Sequence, residues 1–315
     1  MAAPRLLASA LALGTLALSG CGALGLGDSA AGAEGTPVAA ALYPIQYVTE
    51  RVAGDVLDVE NLTSAGGEPH DLQLGLLETA QVADAPLVVH VSGLQPAVDE
   101  AVEQNASGVV LDAADVVDLV PFDEHEEHEG EHAEDEGHEG HDHGEDDPHF
   151  WLDPLRMAAL GDAVAEELAT IVPDEAETFA ANAAALRADL EELDAEYAEG
   201  LADCATSTVV TTHDAFGYLE RYGLHLESIA GISPDAEPTP AALAELQDLI
   251  EEEGITTVFS ETLTGPGTAE TLAGDAGVRT AVLDTVEALT DDTADEDYLS
   301  LMRRNLAALQ EANRC

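Results

Sequence analysis

Lysine is absent from the 315-residue chain. All 9 basic residues are arginine, set against 65 Asp and Glu for a formal net charge of −56. That balance excludes unaided nucleic-acid binding, which needs a basic footprint. It also excludes attachment by charge to an anionic membrane surface. Only 14 of the acids fall between positions 123 and 147, so most of the excess belongs to the folded body. A surface adapted to high salt explains the bulk of it better than a cation-concentrating field, since a metal site needs only a few carboxylates. Long apolar runs are missing too. Leu6 to Leu18 is the longest, too short for a helix that stays in a membrane.

Arg5, that apolar run and the small residues Ser19-Gly20 before Cys21 have the form of a cleavable export signal. Small residues followed by cysteine also resemble a bacterial lipobox, which, unlike an ordinary signal peptide, would leave Cys21 lipidated as the first mature residue and 21–36 as a small, polar tether. The chain holds just 3 cysteines. Export permits a disulfide between the remaining two, Cys204 and Cys315, which would pin the chain end.

From Pro37 onward short apolar runs alternate with helical stretches. Strands are expected over Val38–Tyr43, Val56–Leu62, Leu87–Val91 and Val109–Leu111, with helices over Gln46–Val52, Asp71–Val82 and Pro96–Glu103. The second half repeats the rhythm. Strands are expected at Thr208–Thr212, Leu224–Ile229, Thr257–Ser260 and Thr280–Leu283, and helices at Ala215–Tyr222, Ala241–Glu252, Ala269–Ala276 and Tyr298–Ala312. This alternation predicts an α/β fold of two lobes with parallel sheets flanked by helices. One long helical pattern, Asp174 to Leu201, joins them behind Pro173 and would limit hinge opening. The expected division is 1–20 signal, 21–36 tether, 37–172 amino-terminal lobe, 173–203 linking helix and 204–315 carboxy-terminal lobe. The first lobe would carry a disordered acidic histidine loop over 123–147.

Three histidines stand at strand exits. His70 lies in Glu68-Pro69-His70-Asp71, His149 in Pro148-His149-Phe150-Trp151-Leu152-Asp153-Pro154, and His213 in His213-Asp214-Ala215-Phe216-Gly217-Tyr218. Asp284, in Val282-Leu283-Asp284-Thr285, occupies a fourth such place. Ligands of open α/β sheets collect at that edge, and imidazole is a common ligand for first-row transition metals. His90 and His225 lack such a setting and are expected to be structural.

These segments, with Glu237-Pro238, Phe259-Ser260-Glu261 and the acidic histidine tract, resemble the metal-binding lipoproteins of ABC importers for zinc and manganese. The zinc-uptake branch is the nearer, and the matches run in order through nearly the whole mature chain. The resemblance implies a cleft between two lobes, with His70, His149 and His213 as ligands. Asp284 matches the carboxylate that some members use as the fourth, where others have glutamate or water. Glu68 and Glu261 would be supporting or alternative ligands. The usual proline after Leu-Asp is Thr285 here. Three imidazoles and one carboxylate suit Zn²⁺ as transported ligand, whereas Mn²⁺ prefers more oxygen donors. The implied protein is a monomer on the outer face of the cell membrane. It would capture Zn²⁺ and deliver it to a permease driven by a cytoplasmic ATPase.

The tract offers His125, His128, His132, His138, His141 and His143, expected to bind metal weakly and exchangeably. Its His128-Glu129-Gly130-Glu131-His132 matches a metalloprotease pattern, but that chemistry needs a rigid helix. Like-charge repulsion in a glycine-rich acidic run opposes one. A zinc hydrolase would also need a general base, and no motif supplies it. An adhesin or zinc buffer, or a manganese carrier of the same fold, is the remaining alternative.

Overall fold

The computed structural model describes residues 35–121, 146–231, 234, 236 and 238–315. Cys21, Glu237, the export signal and the six tract histidines lie outside the described residues.

The first half runs β1 (Val38–Ala40), α1 (Tyr43–Ala53), β2 (Val59–Asn61), α2 (Leu76–Asp84), β3 (Leu87–His90), α3 (Pro96–Asn105) and β4 (Val109–Asp112). Two helices follow, α4 (Pro154–Ile171) and α5 (Ala176–Leu201). The second half runs β5 (Thr208–Thr211), β6 (His225–Ser228), α6 (Pro240–Glu253), β7 (Thr257–Ser260), α7 (Gly267–Ala276), β8 (Arg279–Val282) and α8 (Tyr298–Asn313). Each half forms a 4-stranded sheet, ordered β2-β1-β3-β4 and β6-β5-β7-β8. Every strand pairing in both is parallel. The inner strands β1, β3, β5 and β7 are buried along their whole length. Their apolar runs therefore carry none of the polar alternation of a half-solvated strand. Both sheets reverse strand order between their first and third strands in sequence, leaving a crevice at the carboxyl edge.

Helix α5 is 26 residues long, about 39 Å at the usual rise per residue. Phe179, Ala183, Leu186, Leu190, Leu193, Tyr197 and Leu201 form its buried stripe, at the three- and four-residue spacing of one helix face. It packs on α1, α4 and α8, helices of both halves. The Tyr197 hydroxyl donates to the Met302 carbonyl at 2.7 Å. One hydrophobic core runs from β1 through α4 and α5 to Phe259, Leu283 and α8. A smaller one lies under α6 and α7. Cys204 and Cys315 form a disulfide, joining the end of α5 to the end of α8.

Several elements differ from expectation for local reasons. The strand expected to reach Tyr43 stops at Ala40, because Pro44 sits in the first turn of α1. The helix expected from Asp71 begins only at Leu76, behind an extended Gly75; Leu72 and Leu74 are two apart and cannot share its face. Ala215–Tyr222 yields only a 3-10 segment, Gly217–Tyr222, stopped by Gly223 at φ 85°. Pro173 opens a 3-10 turn, Pro173–Glu175, ahead of α5. Helix α4 was not anticipated, although Asp153-Pro154 marks its start: the Asp153 carboxylate accepts the Leu155 amide at 2.9 Å. The acidic loop also ends earlier than position 147. Asp146 bridges to Pro121 and the Asp147 amide donates to the Val120 carbonyl at 2.7 Å. Asp147 is buried.

Candidate metal centre

His70 lies in the irregular link between β2 and α2, and His149 just before a 3-10 turn, Phe150–Leu152. His213 follows β5 and Glu287 follows β8. The fold brings one ligand atom from each of these four residues within 4.8 Å of all the others. Nε2 of His70 lies 3.3 Å from Nε2 of His149 and 3.4 Å from Oε1 of Glu287. Nε2 of His149 lies 3.6 Å from the same oxygen. A tetrahedral Zn²⁺ with ligand bonds of about 2.0–2.1 Å sets its donors roughly 3.3–3.4 Å apart, so these three separations already approach that spacing. His149, His213 and Glu287 are buried and His70 is nearly so.

Two of the histidine rings are oriented by carboxylates. Asp147 Oδ1 accepts both the backbone amide of His149, at 2.9 Å, and its Nδ1–H, at 2.7 Å. Glu261 does the same for His213, through Oε1 to the amide at 3.0 Å and Oε2 to Nδ1 at 2.6 Å. The Thr212 hydroxyl also donates to Glu261. Because a carboxylate can only accept, Nδ1 carries the proton and Nε2 presents its lone pair to the cluster. Nε2 of His213 is buried without a hydrogen-bond partner among the described residues. The His70 amide donates to Glu68 Oε1 at 3.1 Å. Glu68 and Glu261 thus each accept the backbone amide of a histidine.

The ionisation pattern follows from burial and these contacts. Burial, reinforced by His70, holds the His149 imidazolium well below the usual range. Burial alone would lower His213 too, but the Glu261 carboxylate outweighs it and raises that group. Burial is opposed at Glu287 by the histidines, His70 first, which keep its carboxyl down at about 2. Burial and then the neighbouring Glu287 push Glu68 up to about 7, and burial does the same to Asp147. A neutral or donor-oriented imidazole beside an ionised carboxylate is the state a divalent cation needs.

Asp284 is not part of this group. Its Oδ1 accepts the Val286 amide at 2.8 Å, and its Oδ2 accepts the Thr262 hydroxyl at 2.7 Å and the Arg304 guanidinium at 2.8 Å. The Asn305 side chain bridges its backbone amide and carbonyl at 2.8 and 2.7 Å. Fully engaged, the carboxylate braces the turn that delivers Glu287. Val286 in that turn sits at φ 60°, a left-handed conformation costly for a β-branched residue. Sequence reasoning missed Glu287 and Asp147. The available signal for Glu287 was an acid inside the apolar run Val286, Ala288, Leu289. For Asp147 it was the repeated acid-Pro-His triplet, Glu68-Pro69-His70 and Asp147-Pro148-His149.

The other two histidines are placed as expected. His90 is buried with Nδ1 3.2 Å from Asp99, and His225 is exposed between Glu220 and Glu227. A cavity of 440 Å³ lined by Glu68, Asp71, Thr212, Pro238 and Thr264 opens beside the cluster. No helix among the described residues is long and apolar enough to cross a membrane.

Comparison with known proteins places this geometry in a family. Residues 38–312 match the family described as zinc-uptake complex component A, periplasmic. The zinc-binding lipoprotein AdcA of Streptococcus pneumoniae strain R6 is 38% identical over 280 residues, covering 85% of this chain and 54% of that protein. The chain thus spans about half the length of that relative. The high-affinity zinc uptake system protein ZnuA of Bacillus subtilis is 32% identical over 282 residues, covering 87% of this chain and 86% of that one. The crystal structure of the Zn(II)-bound ZnuA-like domain of Streptococcus pneumoniae AdcA superposes with a TM-score of 0.72 at 33% identity, over 89% of this chain and 99% of that one. Matched over most of its length, and with its three imidazoles and one carboxylate converging between two parallel sheets, the chain belongs to the zinc-uptake complex component A family.

Proposed function

We propose that this protein captures Zn²⁺ outside the cytoplasmic membrane and delivers it to an ABC permease driven by a cytoplasmic ATPase. The observation that carries the reading is the convergence of His70, His149, His213 and Glu287 within 4.8 Å. Three nitrogens and one carboxylate oxygen form a donor set suited to tetrahedral Zn²⁺. The relatives' zinc-binding names support the choice of metal. Zn²⁺ is cargo here, and the protein acts as a monomeric carrier without a reaction of its own.

Cys21 tethers the mature chain by lipid, and the lobes divide near 37–172 and 204–315 about the linking segment 173–203. The tract histidines collect metal weakly. A deletion testing them should stop at position 145, because Asp147 orients His149. The test is competitive titration of the protein from position 37 with Zn²⁺, Mn²⁺ and a chelator, beside His213→Ala. One tight zinc equivalent, lost in the variant, is expected. Preference for Mn²⁺, or tight binding indifferent to His213, contradicts the reading.

A further inference from the structure

The two oxygens of Glu287 are held differently. Oε1 faces Nε2 of His70 and His149 at 3.4 and 3.6 Å. Oε2 accepts the Thr285 hydroxyl at 2.9 Å. Thr285 cannot readily follow a rotating carboxylate. It is 1% exposed, and its carbonyl accepts the Trp151 indole N–H at 2.8 Å. The next residue, Val286, is pinned at φ 60° by the Asp284 carboxylate.

We propose that Thr285 is a positioning residue that confines Glu287 to ligation through Oε1 alone and so favours Zn²⁺ over Mn²⁺. The proposal rests on the zinc-carrier reading of the site. Mn²⁺ seeks higher coordination with oxygen donors, and the second oxygen of Glu287 is the nearest available. Bidentate ligation requires the Glu287 carboxylate to turn, drawing Oε2 away from the fixed Thr285 hydroxyl and stretching a buried hydrogen bond. Zn²⁺ is satisfied at four donors and makes no such demand. The hydroxyl therefore penalises the larger coordination number.

The experiment compares wild type with Thr285→Val, Thr285→Ser and Thr285→Ala. Two quantities are read: the Zn²⁺/Mn²⁺ affinity ratio by competition, and the visible absorption of the Co²⁺-loaded protein, which is intense for four-coordinate cobalt and weak for higher coordination. Apo-protein thermal melts identify folded variants, and Thr285→Ala substitutes if the valine does not fold. Supporting partners of metal ligands are typically worth about 10–100-fold in metal affinity. Loss of the hydroxyl is expected to lower the Zn²⁺/Mn²⁺ ratio about ten-fold and weaken the cobalt bands, while Thr285→Ser keeps both. An unchanged ratio and spectrum in the folded variants overturns the proposal, as does an equal loss in the serine variant. Failure of the carrier reading looks different: wild type itself would lack a tight, His213-dependent zinc equivalent.

Discussion

The acid-Pro-His triplets show how individual residues prepare the site. In Glu68-Pro69-His70 and Asp147-Pro148-His149 the carboxylate accepts the amide of the histidine two positions on. The aspartate also reaches Nδ1 of its histidine. The resemblance leaves Asp284, a glutamate or water as the fourth ligand; Glu287 joins the cluster, and Asp284 braces its turn. Glu287→Ala is expected to weaken zinc binding roughly 100-fold or more by removing a ligand, with a smaller effect on the apo-protein. Asp284→Ala should instead lower apo-protein stability by about 1–3 kcal/mol, the usual cost of orphaning a buried donor, here the Val286 amide. Calorimetric titration and thermal melts separate the two. An Asp284 variant that loses zinc as completely as Glu287→Ala, with an unaltered melt, contradicts the assignment. The pH dependence has a definite sign. His149, held neutral by burial, adds little proton competition, whereas the raised His213 must lose its extra proton to bind metal. Zinc affinity is therefore expected to fall as pH falls through the His213 range. A flat affinity from about pH 7.5 to about 5 would contradict histidine ligation. Which carboxylate completes the site was not legible because the choice depends on the backbone turn at Val286, and valine carries no sign of a left-handed conformation.

At the scale of elements, the strands and most helices could be read from their periodicity, and their errors have physical sources. Val38, Ala39 and Ala40 are buried on both faces, so nothing in the apolar run through Tyr43 marks where strand becomes helix. The 3-10 segment at Gly217–Tyr222 shares its apolar spacing with a helix, but Gly223 ends it after 6 residues. Helix α4 is hard to read because its start signal, Asp153-Pro154, lies inside the histidine segment Pro148–Pro154. The Cys204–Cys315 bond closes a separation of 111 residues, for which chain entropy suggests about 5 kcal/mol. Cys204→Ser with Cys315→Ser should lower the melting temperature while keeping one tight zinc equivalent. The four candidate ligands are fixed by other contacts, so loss of zinc stoichiometry in a folded double variant would show that α8 transmits more to the Asp284 turn than the hydrogen bonds imply.

For the whole molecule, the larger of the two cores reaches both sheets through α5 and packs the lobes together. Large hinge opening would expose that core, so metal exchange is expected to involve local movement beside the cavity at Glu68 and Asp71. The net charge of −56 acts at this scale as well. Added salt screens self-repulsion over a Debye length of about 10 Å at 0.1 M, and unfolding free energy should rise with NaCl concentration in denaturant titrations. A fall would mean that the surface acids are locally paired. The central claim concerns four atoms, and anomalous diffraction at the zinc edge from crystals of the Zn²⁺-loaded protein tests it most directly. One dominant peak is expected about 2.0–2.2 Å from Nε2 of His70, His149 and His213 and from Oε1 of Glu287. A dominant peak on Asp284, or away from this cluster, would contradict it.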